Sequence, residues 1–132
     1  MSTTSPAFAQ TIEGCRPANV TPVAIEAADL ESTAPEYLRD LKHECTRNDL
    51  FPAGLTVEAC FSEDCSLTTQ EEADRIRGYV RAGAFLGVGT VTVVCDDIAN
   101  PEKVRPALAA CAERATREGL AFELDAPISL DE

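Results

Sequence analysis

The stretch LTVEACFSEDCSLTTQEEADRIRGYVRAGAFLGVGTVTVVC, residues 55–95, carries three periodicities in succession and decides the fold. Its first seven residues alternate, with Leu55, Val57, Ala59 and Phe61 on one side and Thr56, Glu58 and Cys60 on the other. That is the pattern of a strand with one buried face. Thr68 or Thr69, with Glu71 and Glu72 close behind, then announces a helix whose acids sit near the positive end of its dipole. The helix carries an apolar stripe of Ala73, Ile76, Val80 and Ala84. Gly87 and Gly89 stop it and lead into VGTVTVVC, apolar on both faces and so the expected central strand.

Similar units flank this one. Upstream, TPVAIEAAD places Val23, Ile25 and Ala27 at period two, predicting a strand within residues 19–29 despite Pro22. A helix should follow over APEYLRDLKHECTRNDL, with Leu38, Leu41 and Cys45 on its stripe, Ser32 or Thr33 as cap and Pro35 in the first turn. Phe51-Pro52-Ala53-Gly54 should end it. Downstream, Val104, Leu108, Cys111 and Ala115 mark a helix that starts at Asn100 or Val104 and stops before Gly119. Pro106 is expected at the start of its regular part. Leu120, Phe122 and Leu124 alternate with Glu123 and Asp125 in a last strand, closed by Pro127.

The order β-α-β-α-β-α-β favours parallel strands joined by right-handed crossovers. Polar faces on three of the four expected strands point to a two-layer α/β sandwich: a mainly parallel four-stranded sheet with helices mostly on one face. Residues 19–132 read as a single domain behind a flexible leader over residues 1–18. Within the leader, Ala-Phe-Ala before Gln10 imitates a signal-peptidase site but lacks the basic and apolar regions that secretion requires. A cytoplasmic location with reduced thiols is the corresponding expectation.

Composition narrows the partners. The chain has 23 acidic and 11 basic residues, a net charge of -12, and its lysines are Lys42 and Lys103. Direct binding to nucleic acid or to an anionic membrane is not expected, because both need clustered Lys and Arg. Such a surface suits a protein kept in solution by a very salty cytoplasm, where each charge has a short reach. No apolar run approaches the roughly 20 residues of a spanning helix.

Candidate chemistry gathers at the expected carboxyl ends of the strands, where open α/β sheets bind their ligands. Cys60, Cys65, Cys95 and Asp96 could there hold zinc or another divalent metal, or the thiols could form a redox switch. The spacing of Cys60 and Cys65 is not that of a zinc knuckle, and packing alone would also explain these thiols, with Cys60 covered and Cys65 in solvent. Acids in the loop between them should raise a thiol pKa. Cys45 and Cys111 lie on apolar stripes and read as core, which leaves His43 facing water. Asp96 and Asp97 could act as paired carboxylates or simply cap a turn. No serine elbow or phosphate loop is present, and no catalytic residue or required cofactor is assigned.

The reading that results is a small acidic binding or regulatory module. It would act through an exposed sheet face that includes Thr56, Glu58 and Cys60, as a homodimer or with a protein partner. The rivals are a cysteine-dependent metal or redox protein at the strand-end rim, and an enzyme using Asp96 and Asp97.

Overall fold

The computed structural model describes residues 20–130; the expected leader and Cys15 lie outside them. Strands β1 (Thr21–Glu26), β2 (Leu50–Glu58), β3 (Thr90–Val94) and β4 (Ala121–Asp125) alternate with helices α1 (Pro35–Arg47), α2 (Ser66–Leu86) and α3 (Pro101–Arg117). The strands pair in parallel, in the order β1-β2-β3-β4. Each crossover therefore moves one place in the same direction, and right-handed crossovers of that kind set every helix on one side of the sheet. The α/β sandwich expected from the pattern is the observed fold.

Burial shows the two sides directly. Leu55, Val57, Val91 and Val93 are at most 1% exposed, whereas their strand neighbours Thr56, Thr92 and Val94 are only half-buried and Glu58 is exposed. The inner residues meet Ala73, Ile76 and Val80 of α2 and Val104, Leu108 and Cys111 of α3 in one apolar cluster. Leu38, with Tyr37 and Leu41 packed beside it, brings α1 onto the same layer.

Several local expectations shift. The first strand ends at Glu26, and Ala27–Asp29 form a 3-10 turn in which Ala27 is buried. Phe51-Pro52-Ala53-Gly54 does not end α1 but lies inside β2. The helix stops earlier, at Asn48, and Asp49 takes a positive φ of 59° that turns the chain back into the sheet. Pro52 is tolerated because the register slips there: Val23 pairs with Pro52 and Ala24 with Gly54, leaving Ala53 as the extra residue of a bulge. Helix α1 is entered through Ala34, with Pro35 at its first position, not through a side-chain cap at Ser32 or Thr33. Helix α2 starts before Thr68, at Ser66, with Cys65 in the capping position. Helix α3 runs through Pro106, which is exposed; Asn100 caps it by accepting from the Glu102 amide.

Close approach of α2 to the sheet depends on Gly83. A Cβ added there would stand 3.0 Å from Val88 Cγ2 and 3.3 Å from Val91 Cγ2. Gly78, on the same helix, would meet nothing within 4 Å. Urea unfolding should separate the two. Gly83→Val should lose about 1–3 kcal/mol by overpacking, whereas Gly78→Ala should gain up to about 1 kcal/mol of helix propensity. Equal effects would contradict this packing.

Candidate binding face and strand-end rim

With the helices on one side, no described element covers the other face of the sheet. Strand register aligns its side chains in rows: Ala24, Gly54, Thr90 and Ala121; then Glu26, Thr56, Thr92 and Glu123; then Glu58, Val94 and Asp125. The middle of the face is small and uncharged. Its margins are carboxylates, all exposed, and no basic residue stands in any row. Glu26 and Glu123 lie three strand spacings apart, roughly 14 Å, and Glu58 and Asp125 two spacings, roughly 10 Å. Those separations frame a broad contact surface and are too wide for acids on opposite margins to share one small cation. Thr56 and Glu58, read from alternation as interface residues, stand on this face, and Cys60 is exposed just past the end of β2.

The carboxyl end of β2 is held by a polar clamp from α2. Arg75 Nη2 donates to the Glu58 carbonyl at 2.6 Å, and Nε and Nη2 of Arg75 grip both oxygens of Glu72 at 3.0 and 2.9 Å. The Cys60 amide donates to Glu72 Oε2 at 2.8 Å. The clamp satisfies a carbonyl and an amide where the β2 ladder runs out. The Arg75 guanidinium also stands 5.6 Å from the centre of the Tyr79 ring, within cation–π range. Burial pulls the Glu72 pKa upward. The Arg75 hydrogen bonds, the Cys60 amide and the Arg75 charge outweigh it and hold the carboxyl below its usual value. Sequence reading missed this clamp: Glu72 and Arg75 are three residues apart on a helix, like any surface pair, and their backbone partners lie 12 and 17 residues away.

The cysteines divide between environments. Cys60 is exposed, contrary to the covered position that packing alone implied, and its Sγ lies 3.2 Å from Ser62 Oγ. Ser62 lowers its pKa through side chain and backbone, against the opposing effect of Glu72 and Glu63. The acids therefore do not set the balance. At the start of α2, Thr68 and the amides of Thr68 and Leu67 likewise lower the pKa of half-buried Cys65. Cys95 continues the inward alternation of Val91 and Val93 and is buried, its thiol raised by desolvation. Cys60 is thus open to solvent past the end of β2, while Cys95 belongs to the core under the helices. Among the described residues no group of three or more His, Cys, Asp or Glu side chains is placed to hold a metal ion. Cys60, Cys65, Cys95 and Asp96 are neighbours along one rim without converging.

Asp96 and Asp97 are exposed, and the Asp97 carbonyl accepts from Cys95 Sγ at 3.4 Å. His43 faces water while Cys45 is buried two residues on. Cys111 is fully buried, and desolvation pushes its pKa up to about 11.

The clamp yields a pH-dependent prediction. A carboxyl whose pKa is lower in the folded chain stabilises the fold above its unfolded pKa, and that contribution is lost as pH falls through the folded value. Glu72→Gln should therefore cost about 1.5–3 kcal/mol near neutral pH, as expected for a charge-assisted hydrogen-bond network. The deficit should shrink as pH falls through the carboxylate range. A deficit independent of pH in denaturant titrations would show that the charge on Glu72 is not what holds β2.

Sequence and structure comparisons bear on the fold. The crystal structure of a xylose isomerase domain protein from Planctomyces limnophilus aligns with 79% of this chain at a TM-score of 0.62 and 10% identity. The alignment spans 44% of that protein, so the present chain corresponds to less than half of it. Identity that low establishes likeness of fold alone. Among curated proteins none matches the sequence. Among the described residues no helix is long and apolar enough to cross a membrane. Residues 19–124 match a family described as a domain of unknown function, DUF8564, and the chain belongs to that family.

Proposed function

We propose that the protein is a binding module that works through the bare face of its sheet. One observation carries the reading: all three helices pack on the other side, and no described element covers the row Glu26, Thr56, Thr92 and Glu123 that crosses all four strands. Threonines and small residues in the middle give a flat surface with hydroxyls for hydrogen bonding. Carboxylates at the margins favour a partner surface that presents Arg or Lys. A second copy docked face to face would set acids against acids, a repulsion that only high salt relieves. A positively charged protein is therefore the partner that fits at ordinary ionic strength.

The five described cysteines are all unpaired, as a reducing cytoplasm would keep them. The charge of -12 supports adaptation to high salt. If so, the melting temperature should rise from dilute buffer to molar KCl; an unchanged value would remove that part of the reading.

A capped Gly-Arg repeat peptide, titrated into the isotopically labelled chain at low salt, tests the face. Amide shifts should concentrate at Glu26, Thr56, Thr92 and Glu123 and fade in a Glu26→Gln, Glu123→Gln variant. Because the whole surface is acidic, shifts scattered over the helices would mean charge attraction without a site, and would contradict the proposal.

A further inference from the structure

The two edges of the sheet are not equivalent. In a parallel ladder, alternate residues of a strand turn their backbone groups to alternate neighbours. The Ala121 amide donates to Gly89 at 2.9 Å and the Asp125 carbonyl accepts from Cys95 at 3.0 Å, so Ala121, Glu123 and Asp125 face β3. The N–H and C=O groups of Phe122 and Leu124 therefore point out along the free edge, where no described residue bonds them. At the opposite edge, the Thr21 amide donates to Asp49 on the β2 side, which turns Pro22 outward. Pro22 has no N–H to offer, and proline is a usual guard of exposed edges. Among the described residues, Pro22 takes one donor out of the β1 edge, whereas the outward row of β4 is unbroken.

The two sides of that edge differ in chemistry. On the helix side, Phe122 and Leu124 are half-buried beside an open groove of about 420 Å3, completed by Ala112, Ile128, Ser129 and Leu130. Arg105 Nε donates to the Ser129 carbonyl at 3.2 Å and ties the chain after β4 to α3, giving the groove a fixed outer wall. On the bare side, Glu123 and Asp125 are exposed. A strand added to β4 would send successive side chains alternately into the groove and over the carboxylates.

We infer that the β4 edge accepts an extended segment of a partner protein in which apolar and basic residues alternate, by strand addition. Main-chain bonds to Phe122 and Leu124 supply the pairing, apolar side chains fill the groove, and Lys or Arg lies against Glu123 and Asp125. Charge complementarity selects this occupant. A second β4 paired antiparallel about Leu124 would set Glu123 opposite Asp125 of the copy and Asp125 opposite its Glu123, and like charges on facing strands repel. The inference uses the edge and does not depend on what covers the middle of the face.

The test uses the full chain and a capped peptide, Val-Lys-Val-Lys-Val-Lys-Val, with Val-Glu-Val-Glu-Val-Glu-Val and a Val-Val-Lys-Lys block peptide as controls. Hydrogen exchange of the Phe122 and Leu124 amides should slow by at least about tenfold with the alternating lysine peptide. Neither control should protect them. Glu123→Gln with Asp125→Asn, exposed positions whose replacement should leave the fold intact, should weaken binding of the lysine peptide. No protection by the lysine peptide, or protection centred on β1, would overturn the inference. Equal protection by both controls would overturn the claimed chemistry of the partner. Protection that rises with protein concentration before any peptide is added would replace it with a second copy. The two readings separate at Glu26, Thr56 and Thr92, whose amides the Gly-Arg titration alone should shift; Glu123 is common to both.

Discussion

Burial of Leu55, Val57, Val91 and Val93 beneath α2 and α3 is the constraint on which the rest of the structure depends. Strand side chains alternate, so fixing these four inward fixes Thr56, Glu58, Thr92 and Val94 outward. A slip of one residue in β2 would bury Glu58 and expose Leu55 and Val57, and one in β3 would bury Thr92 and expose Val91 and Val93, which makes the register nearly obligatory. The sequential strand order then places every crossover on the same side. A bare sheet face is thus a consequence of core packing plus handedness, and its composition is what a solvent-facing surface requires.

Much of this was legible in the residues because each element carries its own period. The β2 alternation and the α2 stripe are complete in the sequence, and four strands separated by helices leave few topologies to choose among. What escaped was set by single contacts. Phe51-Pro52-Ala53-Gly54 reads as a turn, yet it enters β2 because a bulge opposite Val23 and Ala24 accommodates Pro52. Pro106 reads as the start of the regular helix, yet α3 is already regular from the Asn100 cap, the earlier of the two starts the pattern offered. In both places a tertiary or capping interaction outweighed a local propensity.

The rim shows the same division. Cysteines and paired acids draw attention as residue types, but the structure buries Cys95 in the core and leaves Cys60, Asp96 and Asp97 in solvent. The organised chemistry there is the Glu72 and Arg75 clamp on the backbone of Glu58 and Cys60. It fixes the end of β2, and with it the position of the Cys60 thiol beside Ser62. No period or motif signals it, because its partners are main-chain atoms brought close only by the fold.

The central claim is that one side of the sheet packs under helices and the other is free, and cysteine accessibility on adjacent residues of β3 tests it most directly. Thr92→Cys and Val93→Cys variants would be treated with a maleimide under native conditions, and the modified peptides followed by mass spectrometry. The account predicts that the thiol at position 92 reacts as an accessible group while the thiol at position 93 reacts only on unfolding. Protection of both, in a chain shown by light scattering to be monomeric, would contradict a bare sheet face.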